Sequence, residues 1–356
     1  MQEPTPMKPD WQRFLIDNGA EFDDARILHY GNPERERRMV MSGNIICDLS
    51  HLGLIALEGE DAADFLHRQL AGEVRALSAG QSRLSCHLNP QGRVISSFRV
   101  FRDAQAYYLA LPRENLEPAM QRLRRFVLRD RVRLSDASDR FVRIGASGPG
   151  MAQELQQAGV PVPGAADEVA SAGQLLVLRL PGPHPRFQLL GELARLQSVW
   201  EQLNVRCAPI GPSPWRLLDI LGGIPTIYPD TSEQFLPQSL NLDALGAISV
   251  EKGCYPGQEI VARMHFRGTL KRRMFRALVR LQETPARLTP VYDGAGQPIG
   301  EVLDAEPHPD GGNELLVVAR LQAADAPVHL GQPQGETITL APPPYPLPPP
   351  RRTAAD

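Results

Sequence analysis

The chain has 356 residues, too many for one small core and enough for two or three subdomains that share an interface. A formal net charge of -3 and a pI near 6.3 exclude a global attraction to nucleic acid or anionic membrane. Met1 to Asp10 carries Glu, Lys, Asp and several prolines where a secretory signal needs an apolar run, and no later stretch reaches membrane-spanning length, so a cytoplasmic protein is expected.

In chain order, Trp11 to Asn18 reads as a short helix closed by Gly19, and Arg35 to Arg38 as a solvated charged face. Cys47 to Leu57 is strand-like, and a helix starting at Gly59 to Ala63 carries Phe65, Leu66 and Leu70 on one side. Strands over Ser82–Leu88 and Val94–Phe101 flank the turn Asn89-Pro90-Gln91-Gly92, a hairpin signal. Tyr107–Leu111 is a further strand, Glu114–Val127 a helix with Leu116, Met120, Leu123 and Val127 in phase, and Val132–Leu134 another strand. Hairpin-paired strands crossed by helices predict α+β layers rather than a doubly wound parallel sheet.

A second unit follows Ser147-Gly148-Pro149-Gly150, with helices over Ala152–Ala158 and Glu192–Leu203 and strands over Leu175–Leu180 and Phe187–Leu190. Trp215 to Pro225 contains an amphipathic helix that ends on Gly222-Gly223. From Lys271 the texture changes: Arg276–Leu281, Pro290–Val291, Pro298–Leu303 and Leu315–Leu321 cluster β-formers between glycine turns, as a small β-barrel does. Pro342 to Pro350 is a proline-rich tail, expected to be extended and unpacked.

The four cysteines, Cys47, Cys86, Cys207 and Cys254, stand singly. That spacing fits neither a zinc ribbon nor a self-contained cluster site, so no metal site is assigned. Cys86-His87 is the single Cys/His neighbour pair, and solvated or core-satisfied roles are expected for both.

The richest stretch is Glu251-Lys252-Gly253-Cys254-Tyr255-Pro256-Gly257-Gln258-Glu259. Ala247–Val250 before it reads as a short strand, and Gln258–Phe266 after it as a helix that Gly268 can close, which puts Cys254 in a strand-to-helix loop. Helix N–H groups, the helix dipole and nearby Lys252 all favour a thiolate there. A lone cysteine is more often a small inert core residue, and the glycines around this one argue against that.

Lys-Gly-Cys-Tyr-x-Gly-Gln-Glu, from Lys252 to Glu259, resembles the signature of the YgfZ family of folate-binding proteins, relatives of the glycine-cleavage aminomethyltransferases that act in iron-sulphur cluster assembly. Phe65 to Leu70, the hairpin after Cys86, Leu236 to Asp243 and Ala262 to Gly268 resemble further pieces of that family. The resemblance implies an aminomethyltransferase-like fold over about Asn44 to Leu340: two αβ units around a central cavity that takes tetrahydrofolate, plus the small C-terminal barrel. On it the chain divides into an N-terminal arm (1–43), a first αβ unit (44–146), a second carrying the signature (147–270), the barrel (271–341) and the tail (342–356).

Two departures follow the same resemblance. Where aminomethyltransferases continue the hairpin into paired aspartates, one of them catalytic, this chain has Ser96 and Ser97, which cannot supply the charge that one-carbon transfer needs. Where they resemble Glu-Ala-Gly, with the acid reading the pterin edge, this chain has Leu221-Gly222-Gly223. No other residue is assigned to the cofactor. The resemblance therefore implies an accessory factor with Cys254 as a redox or cluster-contacting thiol, Lys252 and Arg263 setting its electrostatics, and Gly253, Tyr255, Gly257, Gln258 and Glu259 completing the loop.

Its implied partners are folate, iron-sulphur carriers or client enzymes and a transient cluster shared with one of them, and its effect on tRNA modification is indirect. A tetrahydrofolate-dependent transferase is the alternative. The arginines at 122, 124, 125, 129, 131 and 133 make an RNA-binding module the third reading; with only Phe126 among them, direct tRNA binding is not expected.

Overall fold

The computed structural model describes residues 7–348 apart from Arg267, Thr269 and Ala326. Helix α1 (Pro9–Asp17) opens on proline and buries Trp11 and Leu15, one turn apart, before Gly19 turns the chain at φ +90°. A hairpin of β1 (Glu21–Asp23) and β2 (Arg26–His29) leads to α2 (Pro33–Ser42), which the Asn32 side chain caps on the Arg35 N–H. Glu36 departs from the solvated face expected here: it is buried, and its carboxylate accepts from the Tyr30 and Gly211 backbone N–H groups at 2.7 and 2.9 Å.

The stretch that reads as one strand is two. β3 (Ile45–Asp48) and β4 (Leu52–Glu58) enter different sheets. Asp48 makes the break: its carboxylate accepts from the Trp11 indole N–H at 2.8 Å and the Ser50 backbone N–H at 3.0 Å, an Asx-type turn that competes with a continuous ladder.

The first sheet is antiparallel and adds β5 (Ser82–Leu88), β6 (Val94–Arg102), β7 (Ala106–Pro112) and β8 (Arg133–Asp136) in the order β5-β6-β7-β4-β8. Helices α3 (Ala62–Gln69) and α4 (Leu116–Arg124) cover its outer face through Phe65, Leu66, Met120 and Leu123. The second sheet takes β3 together with β9 (Val142–Ser147), β10 (Val169–Ala172), β11 (Leu175–Leu180), β12 (Arg186–Gly191) and β13 (Ala208–Ile210), in the order β10-β11-β12-β9-β3-β13. Helices α1, α5 (Met151–Gln157) and α6 (Leu193–Asn204) pack on its outer side through Leu15, Leu155, Leu196 and Trp200. Ile45–Asp48, expected in the first unit, thus builds the second: β3 pairs antiparallel with β9 and parallel with β13.

Side chains alternate along each strand, so both sheets have a second apolar face. Leu54, Ala56, Phe101 and Tyr108 from the first meet Leu176, Leu178 and Leu190 from the second. The result is four layers, helix, sheet, sheet, helix. Helices α7 (Pro212–Leu221) and α8 (Gln258–Phe266) then lead into β14 (Arg272–Val279), β15 (Pro290–Tyr292), β16 (Pro298–Pro307), β17 (Asn313–Arg320), β18 (Val328–Leu330), β19 (Thr337–Ile338) and β20 (Leu340–Ala341). These seven strands curl into a near-closed barrel filled by Phe275, Val291, Val302, Val317 and Leu330.

Charged pairs fasten the barrel to the layers. Arg273 forks onto both Asp243 oxygens at 2.5 and 2.9 Å, and the Arg287 guanidinium lies 3.5 Å from the centre of the Tyr228 ring while reaching Asp304. Arg216 on α7 pairs with buried Glu306 on β16, and burial is the main reason that this carboxyl is pushed up to about 7. The described part of the proline-rich tail is packed, not free. Tyr345 donates its hydroxyl hydrogen to the Gly223 carbonyl at 2.7 Å, and a Cβ on Gly223 would come within 2.9–3.2 Å of Pro343, Pro344 and Tyr345. Pro349 and Pro350 lie outside the described residues.

Candidate functional site

Helix α8 runs over the predicted residues, whereas Ala247–Val250 forms no strand. The Ser249 hydroxyl accepts from the Glu251 and Lys252 N–H groups at 3.3 Å, bending the chain, and just one ladder-like bond, Ser249 N–H to Ala71 C=O at 2.8 Å, precedes the bend. The signature loop then crosses the end of the first sheet. Lys252 holds it there. Its buried ammonium donates to the carbonyls of His67, Leu70 and Gly72 at 2.6, 2.6 and 2.8 Å, using all three donors, and sits 5.2 Å from the Tyr255 ring centre. Burial lowers its pKa to about 8, against the opposing pull of Glu73. Setting the thiol's electrostatics was the task the sequence suggested for Lys252; the structure gives it that of a clamp.

Tyr255 is buried and donates its hydroxyl hydrogen to the Ser249 carbonyl at 2.8 Å, while the Gln258 amide closes the loop on the Lys252 carbonyl at 3.2 Å. Gly257 (φ +76°) meets the hairpin turn between β5 and β6 glycine to glycine. A Cβ on it would stand 2.5 Å from the Asn89 carbonyl oxygen and 2.7 Å from the Gly92 Cα, and one on Gly92 (φ +73°) would stand 2.8 Å from the Ile260 Cβ. Gly253 has no such constraint: the nearest atom to its missing Cβ is His67 Nε2 at 3.9 Å.

Cys254 alone of the four cysteines is exposed; Cys47, Cys86 and Cys207 are buried, and burial pushes all three thiols up. Glu259 and Arg263 are exposed on α8 and have no side-chain partner among the described residues. Cys86 and His87 lie in the core, where burial lowers His87 to about 4. In the arginine run, Arg122 pairs with Glu233 at 2.8 Å and Arg131 with Glu60 and Asp61, whereas Arg124, Arg125 and Arg129 are exposed.

A second feature opens between the two sheets. A cavity of about 100 Å³ is lined by Ser97 and Arg99 of β6, Arg186 and Gln188 of β12, Trp215 and Asp219 of α7, and the segment Ile224–Thr226. Arg186 is 1% exposed; it gives Nη1 to Asp219 Oδ1 at 2.5 Å and Nη2 to the Trp215 carbonyl at 3.2 Å, with its guanidinium 4.2 Å from the Trp215 ring centre. Its Nε, and the Nε2 of buried Gln188, have no hydrogen-bond partner among the described residues. Buried donors are seldom left so, and two at one cavity wall favour a polar occupant. Sequence reasoning missed this pair because Phe187 and Leu189 mark β12 as a core strand. The alternation Arg-x-Gln on its other face was the available signal.

The fold places the chain in the aminomethyltransferase-like class. Aminomethyltransferase T of the glycine cleavage system from Bartonella henselae matches it with a TM-score of 0.74 over 94% of this chain and 96% of that one, at 18% identity. The family model for the GCVT N-terminal domain matches residues 20–164. "tRNA-modifying protein YgfZ" of Colwellia psychrerythraea is 31% identical over 65% of this chain and 70% of its own length; its namesake of Edwardsiella ictaluri is 31% identical over 82% and 89%. The chain belongs to the YgfZ family.

Proposed function

We propose that this chain is a folate-binding accessory protein in iron-sulphur cluster assembly or repair, supporting tRNA modification through the iron-sulphur enzymes that perform it. The observation that carries the reading is the contrast among the cysteines: three are buried, and the fourth stands exposed on a loop pinned by Lys252, Tyr255 and Gly257. So firm a mount suits a thiol that must be presented to another molecule. No group of three or more His, Cys, Asp or Glu among the described residues is arranged to hold a metal ion, so in this reading a carrier or client protein supplies the other ligands of any cluster at Cys254.

The cavity fits the folate half. Arg186, Gln188, Trp215 and Asp219 would hold the pterin end, with two donors in need of acceptors and a carboxylate beside them. Tetrahydrofolate would bring a one-carbon carrier and a reductant to that site. The transferase alternative is weaker here, because Ser97 contributes a neutral hydroxyl whose oxygen accepts from the Ile227 N–H at 3.2 Å.

Complementation tests the reading: a methylthiolating iron-sulphur enzyme is assayed in cells lacking this protein and supplied with wild type or Cys254→Ala. Restoration by wild type alone supports it. Equal restoration by both makes the cysteine structural, and restoration by neither removes the cluster role. Turnover of a one-carbon folate by the purified protein would favour the transferase.

A further inference from the structure

The family resemblance puts the pterin-reading acid at position 221, and this chain has leucine there. Leu221 is buried among Val40, Leu217 and Leu218, on the side of α7 that faces the β3 core. Trp215, which reaches the same buried cluster, and Asp219 stand four residues and about one turn apart on α7, and both line the cavity. Asp219 is therefore a carboxylate that α7 itself aims at the space between the sheets.

Its ion pair with Arg186 does not use it up. A guanidinium satisfied by a carboxylate commonly forks onto both oxygens. Here Arg186 spends Nη1 on Oδ1, Nη2 on the Trp215 carbonyl and leaves Nε bare, so Oδ2 has no partner among the described residues. The Asp219 side chain keeps 32% of its surface while Arg186 keeps 1%. The arginine is wall and the carboxylate is lining. Gln188, on the same face of β12 as Arg186, adds an amide that can donate or accept.

We propose that Asp219 replaces the missing acid as the residue that selects the ligand, its free oxygen taking the paired N–H groups of a 2-amino-4-oxo pyrimidine edge, with Arg186 fixing the carboxylate and Gln188 completing the contact. This rests on the folate reading above and adds to it which side chain discriminates. A ring with an oxygen in place of the 2-amino group would turn a lone pair toward that oxygen and be rejected. Because a hydrogen bond to a charged group is worth about 1.5–3 kcal/mol, the preference is about 10- to 100-fold.

The experiment titrates the full-length protein with folate and with its 2-deamino-2-oxo analogue, following tryptophan fluorescence and confirming by calorimetry. Wild type is expected to prefer folate by about 10- to 100-fold, and Asp219→Asn, whose amide oxygen can still accept from Arg186, to bring the two ligands near parity. A purely structural Asp219 would weaken both ligands alike. Equal affinity of wild type for the two overturns the proposal without any variant, as does an unchanged preference in Asp219→Asn; if that variant does not fold, the wild-type ratio decides. Saturable binding of neither ligand by wild type would remove the folate reading itself, a different failure from folate binding without discrimination.

Discussion

Replacing Gly257 by alanine probes the joint on which the signature loop rests. The left-handed backbone at φ +76° costs a residue with a Cβ about 1–2 kcal/mol. The new carbon would also stand 2.5 Å from the Asn89 carbonyl oxygen and 2.7 Å from the Gly92 Cα, both backbone atoms of a hairpin turn that must move to admit it, and such overpacking costs about 1–3 kcal/mol. Together Gly257→Ala should lose about 2–5 kcal/mol, a large share of a typical stability of about 5–15 kcal/mol. Urea unfolding followed by tryptophan fluorescence reads the loss as a lower midpoint at similar slope. Gly246→Ala is the control: its φ is +65° with nothing within 4 Å of the added carbon, so it should show the conformational part alone. Gly253→Ala should change stability by no more than about 0.5 kcal/mol, since that Cβ meets only the His67 side chain, at an ordinary contact distance of 3.9 Å. A Gly257→Ala midpoint equal to that of wild type would refute the glycine-to-glycine contact.

Native protein treated with iodoacetamide should gain one adduct by mass spectrometry, at Cys254, and four only after denaturation; early labelling of Cys86 would contradict its burial. His87 sits neutral in the core, lowered to about 4 from 6.5, so the native state binds fewer protons than the unfolded state between those values. Its contribution to stability is present above pH 6.5 and lost as pH falls through 4; His87→Gln should flatten the unfolding free energy over that window, and an unchanged slope would assign the acid sensitivity elsewhere. Tyr345→Phe removes the tail's hydroxyl bond to Gly223 and should cost about 0.5–1.5 kcal/mol in thermal or urea unfolding; no change would mean that the tail is held by its prolines alone.

The sequence by itself determined the local elements and marked out the loop that carries Cys254. Helical spacing and turn chemistry act within a few residues, so α8, the β5–β6 hairpin and the layered α+β make could be read directly, and the unusual glycines around Cys254 singled out its loop. Tertiary structure decided what depends on distant partners. Asp48 splits a continuous apolar run because its carboxylate takes the Trp11 indole N–H and the Ser50 backbone N–H, and β3 then leaves its sequence neighbours for β9 and β13. Lys252 reads as a charge beside a thiol until its carbonyl partners, 180 to 185 residues earlier, turn it into a clamp. Arg186, Gln188 and Asp219 are ordinary residues of a strand and a helix in sequence, and become the wall of one cavity only where two sheets and α7 meet. Short-range periodicity encodes which face of an element is apolar; which polar group faces which cavity is fixed by long-range packing, and no local pattern carries it.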